Sequence, residues 1–167
     1  MKGDWKVGRQ NDTGIAEAIF RQNADMIYRV ALHSLKNTAD AEDILQEVCL
    51  VLLTKPYPAD EEHLKRWLIR VTLNKCRDLS RSFWRRKRES IDDYAHLEAA
   101  RPQEVMEELW ELSEKQRNII YLYYYESYTV SEIAEILNSN VNTVKSNLQR
   151  ARKRLKELLT EEGAKSD

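Results

Sequence analysis

Apolar residues recur every three or four positions along most of this 167-residue chain, which is the period of an α-helix and not the alternation of a strand. With 4 glycines and 3 prolines to interrupt it, the pattern predicts an all-α fold of long helices. Ile15, Ala18, Ile19, Ala24, Ile27, Val30, Ala31 and Leu35 mark a first stretch, either one long helix or two joined near Asn23. Asn37-Thr38 breaks it. Thr38 is expected to cap the next helix, roughly 39–54, with Ile44, Leu45, Val48 and Leu52 turned inward. Asp40, Glu42 and Asp43 lie near its start, where carboxylates suit the positive end of the helix dipole. Pro56-Tyr57-Pro58 forces a loop, and a third long helix is expected over about 61–85.

Two stretches escape the pattern. Residues 1–12 read as a loose tail, and residues 89–103 are acidic and unpatterned, as a linker would be. Beyond the linker, helices are expected over about 103–112 and 141–159. Between them, Ser113-Glu-Lys-Gln116 and Thr129-Val-Ser-Glu132 are capping boxes that open helices reaching about Tyr125 and Leu137. The expected architecture is therefore two small helical domains, 13–88 and 104–160, joined by a flexible acidic linker, 89–103.

Several function classes find no support. No run approaches the ~20 apolar residues of a membrane span, and no apolar core follows the charged N-terminus. The expectation is a cytoplasmic protein without membrane insertion. Cys49 and Cys76 sit singly in helical patterns and read as buried free thiols of a reduced compartment. His33, His63 and His96 are equally isolated, so no metal site is expected. Without a glycine-rich phosphate loop or a Ser/His/Asp order, neither a cofactor nor catalytic residues are expected.

The net charge of −1 hides a segregation that does point to a partner. Lys65–Arg88 holds ten Lys/Arg and one acid, Glu89–Glu114 nine acids and one base, and Asn142–Lys156 six bases and no acid. Two basic blocks separated by an acidic one suit a polyanion.

Thr129–Arg154 pairs a short amphipathic helix with a longer one across a tight break, the layout of a helix-turn-helix. Val130, Ile133, Ala134 and Leu137 face inward from the first helix, and Val144, Leu148 and Leu155 from the second. Lys145, Asn147, Gln149, Arg150, Arg152 and Lys153 are left outward, with the side-chain types that contact base edges and phosphates. Asn138 stands at the turn, where a left-handed residue is needed and glycine is usual.

The other basic helix has two faces. Leu64, Leu68, Thr72, Cys76, Leu79 and Phe83 form the expected buried stripe, with Lys75 intruding on it. Arg66, Arg70, Asn74, Arg77 and Arg81 line the opposite side and suit a nucleic-acid backbone. Trp67, between the faces, is either a base-stacking residue or a tryptophan at the core edge. The closing cluster Arg85-Arg86-Lys87-Arg88 serves duplex phosphates or solvates the helix end.

These pieces, in this order, resemble the extracytoplasmic-function sigma factors of bacterial RNA polymerase. Asp40-Ala-Glu-Asp43 with Ile44-Leu-Gln46-Glu47-Val48 looks like that family's core-binding helix. Trp67-Leu68, Asn74 and Asp78 with the following arginines look like its promoter-melting and minus-ten helix. Leu112-Ser-Glu-Lys-Gln116-Arg117, Tyr128-Thr-Val-Ser-Glu132-Ile-Ala134, Thr143-Val-Lys145-Ser146 and Arg150-Ala-Arg152 look like its minus-thirty-five domain. The resemblance spans roughly 15–88 and 104–159.

It implies docking of Asp40, Asp43, Gln46 and Glu47 on the clamp helices of core polymerase. It implies minus-ten contacts from Arg66, Trp67, Arg70, Asn74, Arg77 and Arg81, with the loop 54–60 helping to capture a flipped base. It implies minus-thirty-five contacts from Thr143, Lys145, Ser146, Asn147, Gln149, Arg150 and Lys153, a flap contact for the C-terminal domain, and an anti-sigma partner. The linker would thread towards the RNA exit path. Two departures stand out: Asn147 replaces a frequent basic residue, and Glu126-Ser127 replaces a common Glu-Gly. A helix-turn-helix regulator that never docks on polymerase is the alternative; it leaves the Arg/Asn face of the first domain unexplained.

Overall fold

The structure, a computed structural model, describes residues 12–89 and 107–165. All its regular elements are helices: α1 (Thr13–Leu35), α2 (Thr38–Thr54), α3 (Glu61–Glu89), α4 (Glu107–Trp110), α5 (Glu114–Tyr124), α6 (Val130–Ile136) and α7 (Val141–Lys165). Two compact units result, Met1–Ala99 and Ala100–Asp167.

In the first unit α1 packs on α2 and α3, and α2 packs on α3. α1 is one unbroken helix, and within it Asn23 Nδ2 donates to the Ile19 carbonyl at 2.8 Å. Asp12 caps it by accepting from the amides of Gly14 and Ile15, so the loose-tail reading fails at residue 12. The cap of α2 is Asn37, not Thr38: its side chain accepts from the Asp40 amide at 2.9 Å, and Thr38 is the first helical residue. Asp60 caps α3, accepting from the His63 amide at 3.0 Å and from His63 Nδ1 at 2.7 Å. Those hydrogen bonds hold the Asp60 carboxyl below its ordinary pKa.

The core between these helices is Ile27, Val30, Ala31, Ile44, Val48, Leu52, Leu68, Ile69, Leu73 and Cys76, with Thr72 donating to the Leu68 carbonyl so that its hydroxyl is paired where it is buried. Tyr57 is also buried, which pins the loop before α3 to the core. Surface pairs such as Arg21–Glu17 and Arg29–Asp25 are i,i+4 bridges worth a few tenths of a kcal/mol each. Burying one leucine contributes roughly 1.5–3 kcal/mol, so packing holds the unit.

In the second unit α7 packs on α4, α5 and α6 around Leu109, Leu112, Ile119, Leu122, Ile133, Ile136, Val144, Leu148 and Ala151. Both capping boxes form, at Ser113/Gln116 and at Thr129/Glu132. Arg117 is buried and donates to the Leu112 carbonyl, tying α5 to the chain before it. Burial pushes its pKa down to about 10 against the opposing pull of Glu114, and it stays cationic at neutral pH.

Helix ends differ from expectation where periodicity fades. α3 runs on to Glu89, so the first linker residue is helical, and α7 runs on to Lys165. The rest of the expected linker and positions 103–106 of the expected α4 lie outside the described residues. Phe83 does not close the buried stripe of α3: it is 53% exposed, because the helix outruns the core it packs on, and Leu79 is only half-buried.

Candidate nucleic-acid interface

α6, a turn and α7 build the helix-turn-helix. Leu137 ends α6 and Asn138 takes φ 48, the left-handed conformation expected there. The Ser139 amide then bonds the Ala134 carbonyl at 2.8 Å, which closes the helix end and turns the chain sharply. Asn140 starts α7: its side chain accepts from the Asn142 amide at 2.8 Å. Ala134 and Ala151 are buried, and their small side chains let α6 and α7 approach closely.

This frame sorts the candidate residues of α7. Lys145, Gln149, Arg150 and Lys153 are exposed and have no polar partner among the described residues. Ser146 and Asn147 are half-buried and bond backward onto their own helix, Ser146 Oγ to the carbonyls of Asn142 and Thr143, and Asn147 Nδ2 to Thr143 at 2.8 Å. Thr143 is half-buried beside them. Arg152 is exposed, as expected, but engaged: its Nε donates to the Tyr124 hydroxyl at 2.7 Å, and its guanidinium lies 5.1 Å and 5.5 Å from the ring centres of Tyr123 and Tyr124. Those contacts raise its pKa and fasten α7 to α5.

In the first unit Arg70, Asn74, Arg77 and Arg81 are exposed along α3, opposite Leu68, Thr72 and Cys76. Asn74, Arg77 and Arg81 have no polar partner among the described residues. Arg66 is half-buried and bridges to Glu62 at 2.5 Å, and Trp67 is half-buried at the core edge. Lys75, the cation out of place in the sequence, pairs across to Glu47 on α2 at 3.1 Å.

The outer face of α2 carries Asp43, Gln46 and Glu47, and also two residues that periodicity did not single out: Leu50 and Leu53, 60% and 43% exposed. They follow Asp43 and Gln46 by seven residues each, a step that returns to the same helix face. Asp40 is half-buried at the edge of this face. Burial, and then the neighbouring Asp43, raises its pKa. In the second unit an open hollow of about 420 Å³ is lined by Tyr124, Arg152, Leu155, Lys156, Leu159 and Thr160.

Comparison with known proteins agrees with this division. Residues 19–89 match the family model for sigma-70 region 2, and residues 103–155 match that for sigma-70 region 4. The chain is 32% identical over 143 residues to RNA polymerase sigma factor SigV of Bacillus subtilis, covering 81% of this chain and 85% of that protein. The chain belongs to the extracytoplasmic-function sigma factors. A second such sigma factor, SigM of Bacillus subtilis, is 30% identical over 154 residues, 85% of this chain and 93% of SigM. A solved structure of the sigma factor RpoE with the anti-sigma factor NepR from Bartonella quintana shares the fold. Its TM-score is 0.68 at 23% identity, over 86% of this chain and 96% of that one. A sigma factor directs transcription initiation, so the helix-turn-helix described above belongs to an initiation factor.

Proposed function

We propose that this sigma factor grips promoter DNA at two places with its two basic helices and holds core polymerase through α2. The row Arg70, Asn74, Arg77 and Arg81 follows the minus-ten strand once it is single, and Asn74 contributes to reading a flipped base. Flipping costs a few kcal/mol, which phosphate contacts from the row offset. Lys145, Gln149 and Arg150 read the minus-thirty-five duplex, and Lys153 holds a phosphate. Ser146 and Asn147 shape this surface, since their side-chain polar atoms are engaged by the helix backbone, and Thr143 lies half-buried beside them.

Asp40, Asp43, Gln46 and Glu47 dock on the clamp helices of the largest polymerase subunit, with Leu50 and Leu53 supplying apolar contact inside that polar patch. The hollow beside Tyr124 and Leu159 receives the flap, and an anti-sigma factor masks these surfaces in the cytoplasm. The protein performs no catalysis of its own. The observation that carries the reading is the solvent-facing Arg/Asn row of α3, in a unit separate from the helix-turn-helix. A regulator that binds duplex alone has no use for it. Run-off transcription with bacterial core polymerase on genomic fragments tests this. New start sites that appear only with the protein support it, and unchanged initiation with no binding to core contradicts it.

A further inference from the structure

Along one edge of α7, Lys145, Gln149, Arg152, Lys156 and Leu159 follow one another at steps of four, three, four and three, so they share one line of the helix. The first two belong to the duplex-reading surface, and the last two line the hollow. Arg152 stands between them and lines the hollow as well. It is also where this edge is tied to the end of α5. Its Nε bond to the Tyr124 hydroxyl and its position over the rings of Tyr123 and Tyr124 make the tie, and the two rings brace each other edge to face at 5.0 Å.

The clamp is open to water: Tyr124 is 54% exposed, and Arg152 is exposed too. Hydration competes with contacts of this kind, and they strengthen when a neighbour removes the water. Tyr124 and Arg152 are both walls of the hollow, so whatever sits there does so. We propose that Arg152 is a positioning residue that couples the hollow to the reading surface. An occupant of the hollow closes the clamp on Tyr124, fixes the angle of α7 against α5, and so presents Lys145, Gln149 and Arg150 to the duplex in one orientation. With the hollow empty the clamp opens part of the time, and the duplex must select the closed form. Occupant and duplex favour the same state, so each strengthens the other by the same factor. The occupant is the polymerase flap, and the proposal rests on that reading of the hollow. Grip on the minus-thirty-five duplex thereby tightens once the chain is seated on polymerase.

Binding of a minus-thirty-five duplex fragment is measured on holoenzymes assembled from the full chain and either intact core polymerase or core lacking the flap. The parent chain should hold the duplex about fivefold more tightly with the flap than without it. Saturating duplex should strengthen the flap-dependent part of core binding by that same factor. Tyr124→Phe keeps the ring and removes the hydroxyl acceptor. It should cut the factor to about twofold while duplex binding in the flapless holoenzyme stays close to the parent value. Arg152→Ala should abolish the factor. A purely structural clamp behaves differently: the variants lose duplex affinity equally with and without the flap, the factor survives, and the proposal is overturned. If the parent itself shows no factor, the affinity of the chain for the two cores decides what has failed. Weaker binding to flapless core means that the flap docks and only the coupling fails. Equal binding to both means that the flap reading fails, and the proposal with it. Melting curves check the fold of each variant, and should Arg152→Ala unfold the second unit, the Tyr124→Phe factor decides alone.

Discussion

α3 and α7 are both long, amphipathic and cationic, yet they lay out their charges differently, and the proposed function assigns the two layouts to different forms of DNA. On α3 the exposed residues Arg70, Asn74, Arg77 and Arg81 fall one to a turn in a single narrow row, with the exposed Asp78 next to Arg77 in the chain. Arginines in that arrangement follow a backbone, and one amide among them recognises little. On α7 the exposed candidate residues Lys145, Gln149, Arg150 and Lys153 are clustered within the first four turns. Such a patch fits a groove, where Gln and Arg reach base edges. In both helices the flanking cations are spent internally: Arg66 on Glu62, Lys75 on Glu47, Arg152 on two tyrosines and Arg154 on Glu157. A count of positive residues thus overstates the charge available to DNA, and the remainder defines each surface.

The largest expected effect lies on α7. Arg150→Ala should weaken minus-thirty-five duplex binding by 10- to 100-fold or so and relax base preference at one position, as read by competition binding with single-base promoter variants. Unchanged preference would remove Arg150 from the reading face and erase the contrast with α3. Next comes Asn74→Ala, which should slow promoter opening by roughly tenfold while closed-complex formation stays near the parent value. A fluorescent base in the melted region, followed by stopped flow, separates the two steps, and equal losses at both would count against a single-strand role.

The remaining expectations concern how the two units are built. Ser127 adopts φ 58, and a side chain in that left-handed conformation is strained by about 1–2 kcal/mol. Ser127→Gly should raise the stability of the second unit by about 1 kcal/mol after glycine's extra unfolded-state freedom is deducted, measured by thermal melting, with DNA binding unaltered. A smaller effect belongs to the first unit. Asp40 holds its proton more tightly in the fold than in the unfolded chain, so ionisation costs the folded state. That cost sets in as pH rises past the ordinary carboxylate value of 3.8 and is complete above the raised one. Asp40→Asn should therefore melt above the parent at pH 7, with the difference vanishing at more acid pH. A charge kept against stability at this edge is consistent with use by a partner.

Much of this was legible beforehand, for reasons that differ from place to place. The capping boxes at Ser113 and Thr129 are local chemistry, complete within four residues, and both form as read. The left-handed turn at Asn138 is equally local. Helix ends were less legible, because α3 and α7 continue past the core on charged residues that carry no apolar period. Pairings across helices were invisible. Lys75 looked like an error in the pattern until Glu47 was placed beside it, and Arg152, exposed as expected, gave no sign of the α5 tyrosines that engage it. Arg117 gave no sign of its burial. The exposure of Leu50 and Leu53 had a readable signal, their seven-residue step from Asp43 and Gln46, but apolar character alone suggested core.

The division of labour between the two basic helices is tested most directly by one crossed binding experiment. Holoenzymes carrying Arg77→Ala or Arg150→Ala are titrated against a minus-thirty-five duplex fragment and a premelted minus-ten fragment at one salt concentration. Arg77→Ala should lose affinity only for the premelted fragment, and Arg150→Ala only for the duplex. If each variant loses both fragments equally, the two surfaces act as one, and separate grips on open and closed DNA are contradicted.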